Sequence, residues 1–263
     1  MKYLYRILLV ILTMTLLHAS EKRAFVWVDD DNYWPAIYRG PDGKPAGIFN
    51  DIMTELFSRL DIPLKKAVYP WKRAQQMVKE GQADGMITMY TQSRQAFTRA
   101  TEPIWNIGET LFFRRDNPHG CKILRIQSFD DMKGLTLVEL QGAGWPQEEY
   151  AAHGIKKVIW VPNVESALNI IAKRRADLFM MFNLNALRIL VQKRAQHATL
   201  SEGYQDIVAI TPHFTSLPFR LLIRKDSPFV KRIDEINRIL ETMKHDGTYQ
   251  RIRRKYSGIT PPL

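Results

Sequence analysis

Arg94 is the residue whose position points most directly to chemistry. It lies in the segment Thr88-Met-Tyr-Thr91-Gln-Ser-Arg94, where a predicted buried strand ends in hydroxyl residues and a helix is predicted to begin at Thr91. A positive charge in the first turn of a helix opposes the helix dipole, so this arginine requires another explanation. Binding of a carboxylate by the two-pronged guanidinium would supply one. The segment therefore indicates a site for a small acid.

Three tryptophans are predicted in loops that follow strands. Trp34, Trp71 and Trp105 could each stack on a ligand there, and ordinary core packing explains each of them equally well.

The segment Gly142-Ala-Gly144 follows a predicted strand and precedes a predicted helix. It could be half of a dinucleotide-binding fingerprint, but Pro146 and Gln147 stand where the third glycine should be. Free N–H groups at a helix start attract anions, and a simple tight turn is the alternative interpretation.

Several other chemistries find no support in the sequence. The six histidines show no metal-ligand spacing with a carboxylate, and there is no Gly-x-Ser-x-Gly elbow. The single cysteine, Cys121, excludes an intrachain disulfide and argues against a cysteine-based zinc site. The net charge of +11 suits anionic ligands, but the basic residues are scattered along the chain. No cofactor, metal or nucleic-acid partner is predicted.

The elements that would position these residues alternate between strand and helix along 263 residues. Strands are predicted at 24–28, 84–88, 110–114, 135–140, 158–161, 178–182 and 219–224, and helices near 48–60, 72–80, 164–173, 227–246 and 248–256. This alternation predicts an α/β fold with mainly parallel sheets, and the length suits two lobes.

The first twenty residues have the pattern of a secretory signal peptide. Lys2 and Arg6 precede an apolar stretch, and the small residues Ala19 and Ser20 mark the expected cleavage site. No cysteine lies there, so a lipoprotein anchor is not expected, and no later stretch is apolar enough for a second span. We expect a periplasmic protein.

Several motifs together resemble the family 3 extracellular solute-binding proteins, the amino-acid type that serves ABC importers. The similarity covers about residues 24–263. The motifs that carry it are Tyr33-Trp-Pro-Ala-Ile-Tyr-Arg-Gly-Pro-Asp-Gly-Lys-Pro-Ala-Gly-Ile-Phe-Asn-Asp51, Glu80-Gly-Gln-Ala-Asp84, Thr91-Gln-Ser-Arg94, Lys173-Arg-Arg-Ala-Asp177, and Asp246-Gly-Thr-Tyr249 followed by Lys255-Tyr256.

The resemblance implies a two-lobed type II periplasmic-binding-protein fold with two chain crossings and a ligand in the cleft. After the signal peptide at 1–20, lobe 1 would comprise 21–113 and 219–263, and lobe 2 would comprise 114–218. Arg94 would hold the ligand carboxylate. The other residues expected around the ligand are Asp30, Tyr33, Trp34, Trp71, Thr88 and Tyr90 in lobe 1, and Gly142, Ala143, Gly144, Trp145, Phe182 and Asn183 in lobe 2.

Two departures from the family pattern affect the expected ligand. The segment from Asp84 to Arg94 is two residues shorter than usual, and Phe182 stands where the family places an aspartate for the ligand ammonium. A buried ammonium without a countercharge costs several kcal/mol. We therefore expect either an acid without an amine or one whose amine meets Asp30, Asn183 or Asn185.

The function implied by the resemblance is capture of a small carboxylate-bearing ligand, an amino acid or a related organic acid, for an ABC importer. The chain is expected to be a monomer without enzymatic activity. Two alternatives remain open at this point. One is a sensory module for a signalling partner, and the other is a dehydratase of cyclic acids with Asp30 as the acid.

Overall fold

Two sheets of five strands each organise the chain. The computed structural model describes residues 22–196, 203–211 and 217–257. The expected signal peptide at 1–20 lies outside these residues. Within the described ranges the strands are β1 (Phe25–Asp30), β2 (Asn32–Tyr33), β3 (Ile37–Arg39), β4 (Pro45–Ala46), β5 (Leu64–Tyr69), β6 (Gly85–Thr88), β7 (Thr98–Ile107), β8 (Glu109–Arg114), β9 (Leu137–Leu140), β10 (Val158–Val161), β11 (Leu178–Phe182), β12 (Ile207–Ile210) and β13 (Leu217–Arg224).

Helices pack on both sheets. They are α1 (Ile48–Arg59), α2 (Trp71–Lys79), α3 (Gln92–Gln95), α4 (Gly120–Ile123), α5 (Gly144–Ala152), α6 (Val164–Ala172), α7 (Asn183–Gln196), α8 (Ile233–His245) and α9 (Thr248–Ser257), with short 3-10 helices at Phe129–Met132, Tyr204–Asp206 and Pro228–Arg232. In the described part of the chain, no helix has the length and apolar character that a bilayer crossing requires.

The two sheets share one topology. The order in lobe 1 is β5-β1-β6-β13-β7, and in lobe 2 it is β10-β9-β11-β8-β12. In each sheet the first three strands pair in parallel, and the last two join by antiparallel pairing. The predicted two-lobed α/β fold is confirmed, and the antiparallel strands are those nearest the chain crossings.

The lobe boundaries differ from the expected ones. Strand β8 pairs with β11 and β12 in the second sheet, so lobe 2 begins at Glu109 rather than at 114. The first crossing is therefore the single residue Gly108 between β7 and β8. On the return, Leu217 already pairs with Ile107 in the first sheet, so lobe 1 resumes by Leu217 rather than at 219.

A buried aspartate in lobe 1 and a half-buried one in lobe 2 fix the start of the central strand of each sheet. Asp84 precedes β6 and accepts hydrogen bonds from Val26 N (2.9 Å) and Ser227 Oγ (2.7 Å). Asp177 precedes β11 and accepts from Thr136 N at 2.7 Å. Each carboxylate thus joins its strand to a neighbouring segment, which explains structurally why an Ala-Asp pair stands at both places.

Helix α1 shows how the sequence pattern becomes packing. Its apolar residues recur at helical spacing and are buried on one face against the sheet. Gly47 precedes it with φ of 117°, and a Cβ there would lie 2.7 Å from the carbonyl oxygens of Pro35 and Ala36. Only glycine fits this approach, so the turn and the helix start are specified together.

Candidate functional site

A cavity of about 250 Å³ lies between the two lobes. Residues of both sheets and of the loops beyond them surround it. Among those lining it are Asp29, Asp30, Tyr33, Trp71, Thr88, Met89 and Arg94 from lobe 1, and Glu109, Glu139, Ala143, Gly144, Trp145, Met180 and Met181 from lobe 2. This is the interlobe cleft that the two chain crossings create.

Arg94 is a buried cation in the lobe 1 wall. The residue is only 4% exposed, and its Nη1 donates to Met89 O at 3.0 Å. Its Nε and Nη2 donate to Gln75 Oε1 at 3.4 and 3.0 Å, and the guanidinium carbon lies 5.4 Å from the centre of the Trp71 ring. Neutral dipoles and an aromatic face therefore surround the charge.

The guanidinium of Arg94 keeps its charge and retains binding capacity. Burial lowers the pKa of Arg94 to about 10, opposed by the charges of Glu148 and Asp29, so the group is protonated at neutral pH. Its hydrogen bonds to described residues use three of the five N–H groups of a guanidinium. Within the same residues, no carboxylate forms an ion pair with it. Two donors can therefore serve a bound anion.

The helix that carries Arg94 begins where the sequence predicts but is very short. Helix α3 is a single turn of four residues, so its dipole is too small to make a cation there costly. The dipole argument for a ligand carboxylate was therefore wrong, and burial of the charge replaces it. The anion at the start of α3 is Glu148 of lobe 2.

Glu148 joins the two lobes directly. Its carboxylate accepts from Gln92 N at 2.9 Å, from Ser93 N at 3.1 Å and from Ser93 Oγ at 2.6 Å. Partial burial disfavours the carboxylate, but these hydrogen bonds lower the pKa of Glu148 overall, and it is ionised at neutral pH. Helix α5 is thereby held against the turn that carries Arg94.

The turn at 142–145 makes a second contact between the lobes. The carbonyl oxygen of Gly142 accepts from Trp71 Nε1 at 3.1 Å and from Gln75 Nε2 at 3.3 Å. Gly142 has φ of 82°, and a Cβ added to Gly144 would lie 3.3 Å from Arg94 Nη2. The structure is therefore a closed state in which lobe 2 covers the Arg94 wall.

Two acidic residues of lobe 1 stand at the end of β1. Asp29 accepts from Trp27 Nε1 (3.0 Å), Ile87 N (2.9 Å) and Asp30 N (2.9 Å), and burial raises its pKa to about 7. Asp30 accepts from Asn32 N at 3.0 Å, and burial raises its pKa to about 6. Both side chains line the cavity.

Lobe 2 contributes two further buried carboxyls. Glu139 accepts from Leu140 N at 2.7 Å and from Tyr150 Oη at 3.2 Å, and Glu109 is the first residue of β8. Burial raises the pKa of each glutamate to about 8. The cavity thus has a guanidinium on one wall and several carboxyl groups around the remainder.

The family model of the bacterial extracellular solute-binding proteins, family 3, matches residues 26–259. The chain belongs to this family. No curated protein matches the sequence.

Solved structures of similar proteins show the same fold. One is a histidine kinase sensor domain with similarity to periplasmic binding proteins (TM-score 0.73, 17% identity, 92% of this chain and 99% of that chain covered). Another is an ancestral arginine-binding protein bound to arginine (0.67, 20%, 89% and 97%). A third is an arginine 3rd transport system periplasmic binding protein from Legionella pneumophila (0.66, 17%, 89% and 99%).

Most residues expected around the ligand of this family 3 protein do reach the cavity. Those that line it are Asp30, Tyr33, Trp71, Thr88, Arg94, Ala143, Gly144 and Trp145. Gly142 acts instead through its carbonyl oxygen in the contact between the lobes. Their roles toward a ligand remain predictions.

Of the other expected residues, two do not line the cavity and two have side chains outside the described structure. Tyr90 points away, because its Oη donates to Thr98 O at 3.2 Å. The Trp34 ring packs under the Arg188 guanidinium at 5.3 Å and is not among the lining residues. Phe182 ends β11 and Asn183 begins α7, and the side chains of both, like that of Asn185, lie outside the described structure.

Glu109 and Glu139 were missed in the sequence, although each leaves a signal there. Each is a charged residue at or within an apolar strand, in Glu109-Thr-Leu-Phe-Phe and Leu137-Val-Glu-Leu140. A charged side chain in a buried strand is either paired with another group of the protein or part of a functional site.

The described residues contain no group of three or more His, Cys, Asp or Glu side chains that could hold a metal ion.

Proposed function

We propose that this family 3 protein is a periplasmic solute-binding protein that captures a small carboxylate-bearing ligand between its lobes. Arg94 carries the proposal. It is a buried, ionised guanidinium at the cavity surface, and its hydrogen bonds to described residues leave two N–H donors for an anion. A bidentate bond to a carboxylate would complete them.

The cavity supports a ligand of amino-acid size. Its volume of about 250 Å³ is small beside the pockets that hold drug-sized molecules. Trp71 and Trp145 supply flat apolar surface from opposite lobes, and Tyr33 and Phe219 extend it. A short aliphatic or aromatic skeleton with one carboxylate would fit between these rings.

The proposal further assigns delivery of the ligand to an ABC importer. The contacts of Glu148 and Gly142 support it, because they hold a closed shape that a membrane partner could distinguish from an open one. The Legionella relative is described as part of a transport system, and the sensor-domain relative shows that the same fold also serves signalling.

A thermal-shift screen of the standard L-amino acids and small organic acids tests ligand capture. Each hit is repeated with its primary amide, for example L-argininamide beside L-arginine. We expect the acid to raise the unfolding temperature and the amide to have little effect, because only the acid can form a charged pair with Arg94. Equal shifts from acid and amide would contradict the assignment.

A second experiment separates transport from sensing. Deletion of the gene in its host is expected to reduce uptake of the identified ligand, and a plasmid copy should restore it. Unchanged uptake together with a changed transcriptional response to the ligand would favour the sensory function.

A further inference from the structure

Gln75 of α2 contacts both the guanidinium of Arg94 and the opposite lobe, although it is not among the residues that line the cavity. Its Oε1 accepts from Arg94 Nη2 at 3.0 Å and from Arg94 Nε at 3.4 Å, and its Nε2 donates to the carbonyl oxygen of Gly142 at 3.3 Å. A guanidinium only donates hydrogen bonds and a carbonyl oxygen only accepts them, so the amide of Gln75 has one possible orientation between the two. A single neutral side chain thus joins the cation of lobe 1 to the turn of lobe 2.

The contacts of Arg94 determine which edge of its guanidinium is left for a ligand. Gln75 takes the Nε group and one N–H of Nη2, and the carbonyl oxygen of Met89 takes one N–H of Nη1. Within the described residues, these contacts leave one N–H on each terminal nitrogen. A carboxylate can accept from such a pair in the bidentate manner. Gln75 therefore holds the guanidinium so that its end, and not its Nε side, serves the anion.

Trp71 contacts the same two partners from the same face of α2. It precedes Gln75 by four residues, a spacing that places two side chains side by side on a helix. Its ring centre lies 5.4 Å from the guanidinium carbon of Arg94, and its Nε1 donates to Gly142 O at 3.1 Å. Two residues one turn apart thus contact one cation and one carbonyl oxygen of the opposite lobe. The position of the guanidinium and the closed position of lobe 2 are therefore linked through α2.

We propose that Gln75 is a positioning residue of the binding site, which orients Arg94 for the ligand carboxylate and links that orientation to the closed position of lobe 2. The inference rests on the proposed function and adds a requirement on the side chain at position 75. That side chain has to be neutral, long enough to reach both partners, and able to accept a hydrogen bond on one side and donate one on the other. Glutamine meets all three conditions.

Neutrality matters because a carboxylate of the protein would compete with that of the ligand. A glutamate side chain has the length of glutamine, and at this position it would pair with Arg94 and cancel the charge that attracts an acid. It would also turn an acceptor toward Gly142 O, where the amide has a donor. An apolar side chain of the same length would leave the charge of Arg94 intact, but it would neither orient the guanidinium nor bind lobe 2.

Calorimetric titration at pH 7 with L-arginine and L-argininamide tests this role in wild type, Gln75→Met and Gln75→Glu. Where the screen identifies another acid, that acid and its primary amide replace these two probes. In Gln75→Met we expect the acid to bind about tenfold more weakly and the ratio of acid to amide affinity to fall about threefold or more. In Gln75→Glu the affinity for the acid should fall about a hundredfold or more, and the preference for the acid over the amide should disappear.

Control variants keep the effect specific to Gln75. Methionine and glutamate have helix propensities close to that of glutamine, so α2 is expected to form in both variants, and Gln75→Leu repeats the apolar test with a second side chain. Gln76→Met and Gln76→Glu are the matched controls, because Gln76 is exposed on the same helix and outside the cavity lining. Both should behave as wild type.

Two readouts separate positioning from a purely structural role. A loss of stability or of lobe closure alone would weaken acid and amide by the same factor, whereas a misplaced or neutralised guanidinium affects the acid in particular. Small-angle scattering, at an L-arginine concentration that saturates each protein, measures the link to lobe 2. The radius of gyration of Gln75→Glu should exceed that of wild type, because two acceptors then face each other at Gly142 O.

The outcomes distinguish this inference from the proposed function. If wild type prefers the acid and Gln75→Met keeps that preference in full, the positioning role is overturned while carboxylate capture stands. The same result in Gln75→Glu would overturn the requirement for a neutral side chain, and an unchanged radius of gyration would overturn the link to lobe 2. If wild type binds acid and amide equally, carboxylate capture fails, and this inference fails with it.

Discussion

The two walls of the cleft hold buried charge in different ways. In lobe 1, Asp29 accepts three hydrogen bonds from N–H groups of the protein, and Arg94 donates to Met89 O and Gln75 Oε1. In lobe 2, Glu139 accepts from one backbone N–H and from the hydroxyl of Tyr150. The lobe 1 carboxylate is bound by donors that cannot become acceptors, whereas Tyr150 can be either.

This difference separates a buried carboxylate that stabilises the fold, Asp29, from a buried carboxyl that can change its protonation state, Glu139. Burial raises the pKa of Asp29 to about 7 and that of Glu139 to about 8, so desolvation dominates at both. Asp29 nevertheless needs its carboxylate form to satisfy three donors. Glu139 can hold a proton without leaving a donor unpaired, because the hydroxyl of Tyr150 can change from donor to acceptor. Four predictions follow the contrast between these walls.

The largest effect is expected for Arg94→Ala, because it removes the only lobe 1 cation that lines the cavity among the described residues. Affinity for L-arginine or another acid found in the screen should fall about a hundredfold or more, and Arg94→Lys should recover little, since lysine lacks the planar fork. Calorimetry measures both. Arg99→Ala, an exposed arginine of the neighbouring strand, is the control. Retained affinity in Arg94→Ala would remove Arg94 from the site.

Asp29→Asn tests the structural carboxylate of lobe 1. Either orientation of the amide places its NH₂ group against an N–H donor, so a buried hydrogen bond is lost and two donors conflict. We expect the free energy of unfolding to fall by about 2–3 kcal/mol, measured by urea denaturation. Asp42→Asn, in an exposed turn, should change it little. Equal stability of the two variants would show that Asp29 has no such role.

Glu148→Gln tests how firmly lobe 2 closes on the Arg94 wall. An amide can accept from only one side, so at least one of the N–H groups of Gln92 and Ser93 loses its partner. We expect ligand affinity to fall about tenfold and the radius of gyration in small-angle scattering to increase. Glu149→Gln on the same helix is the control. An unchanged radius and affinity would mean that Glu148 does not govern closure.

The smallest effect is expected for Glu139→Gln in the ligand-free protein. Because the folded pKa of Glu139, about 8, is above its ordinary value, the folded state binds more protons than the unfolded state, and stability falls as pH rises from about 5 to about 8. The variant should therefore lose less stability than wild type over this range. Thermal unfolding at pH 5.5 and pH 8 measures it. A steeper loss of stability with pH in the variant than in wild type would contradict the claim that Glu139 is protonated in the folded, ligand-free protein.

Part of this site could be predicted from sequence because its signals are local. A strand that ends in Thr88, followed within six residues by Arg94, places a guanidinium at a sheet edge whatever the rest of the fold. Helix α1 is similarly encoded by its own apolar spacing and by Gly47.

The remainder depends on contacts between distant segments. The sequence of β5 is polar because it is an edge strand with exposed lysines. The sequence of β7 contains Pro103, and a proline argues against a central strand. Both become strands through pairing with β1 and β13. Glu109 and Glu139 are far apart in the sequence and reach the same cavity only because β8 and β9 flank β11 in the folded sheet. The direction of Tyr90 was likewise set by Thr98 of β7, an element that the sequence did not reveal.

The central claim is tested most directly by a crystal structure with a bound acid. The acid chosen is the one that raises the unfolding temperature most in the screen and whose primary amide has no effect. The account predicts a closed cleft in which both carboxylate oxygens of that acid lie about 3 Å from the guanidinium nitrogens of Arg94. A bound acid whose carboxylate is held elsewhere, with Arg94 in contact only with Met89 and Gln75, would contradict it.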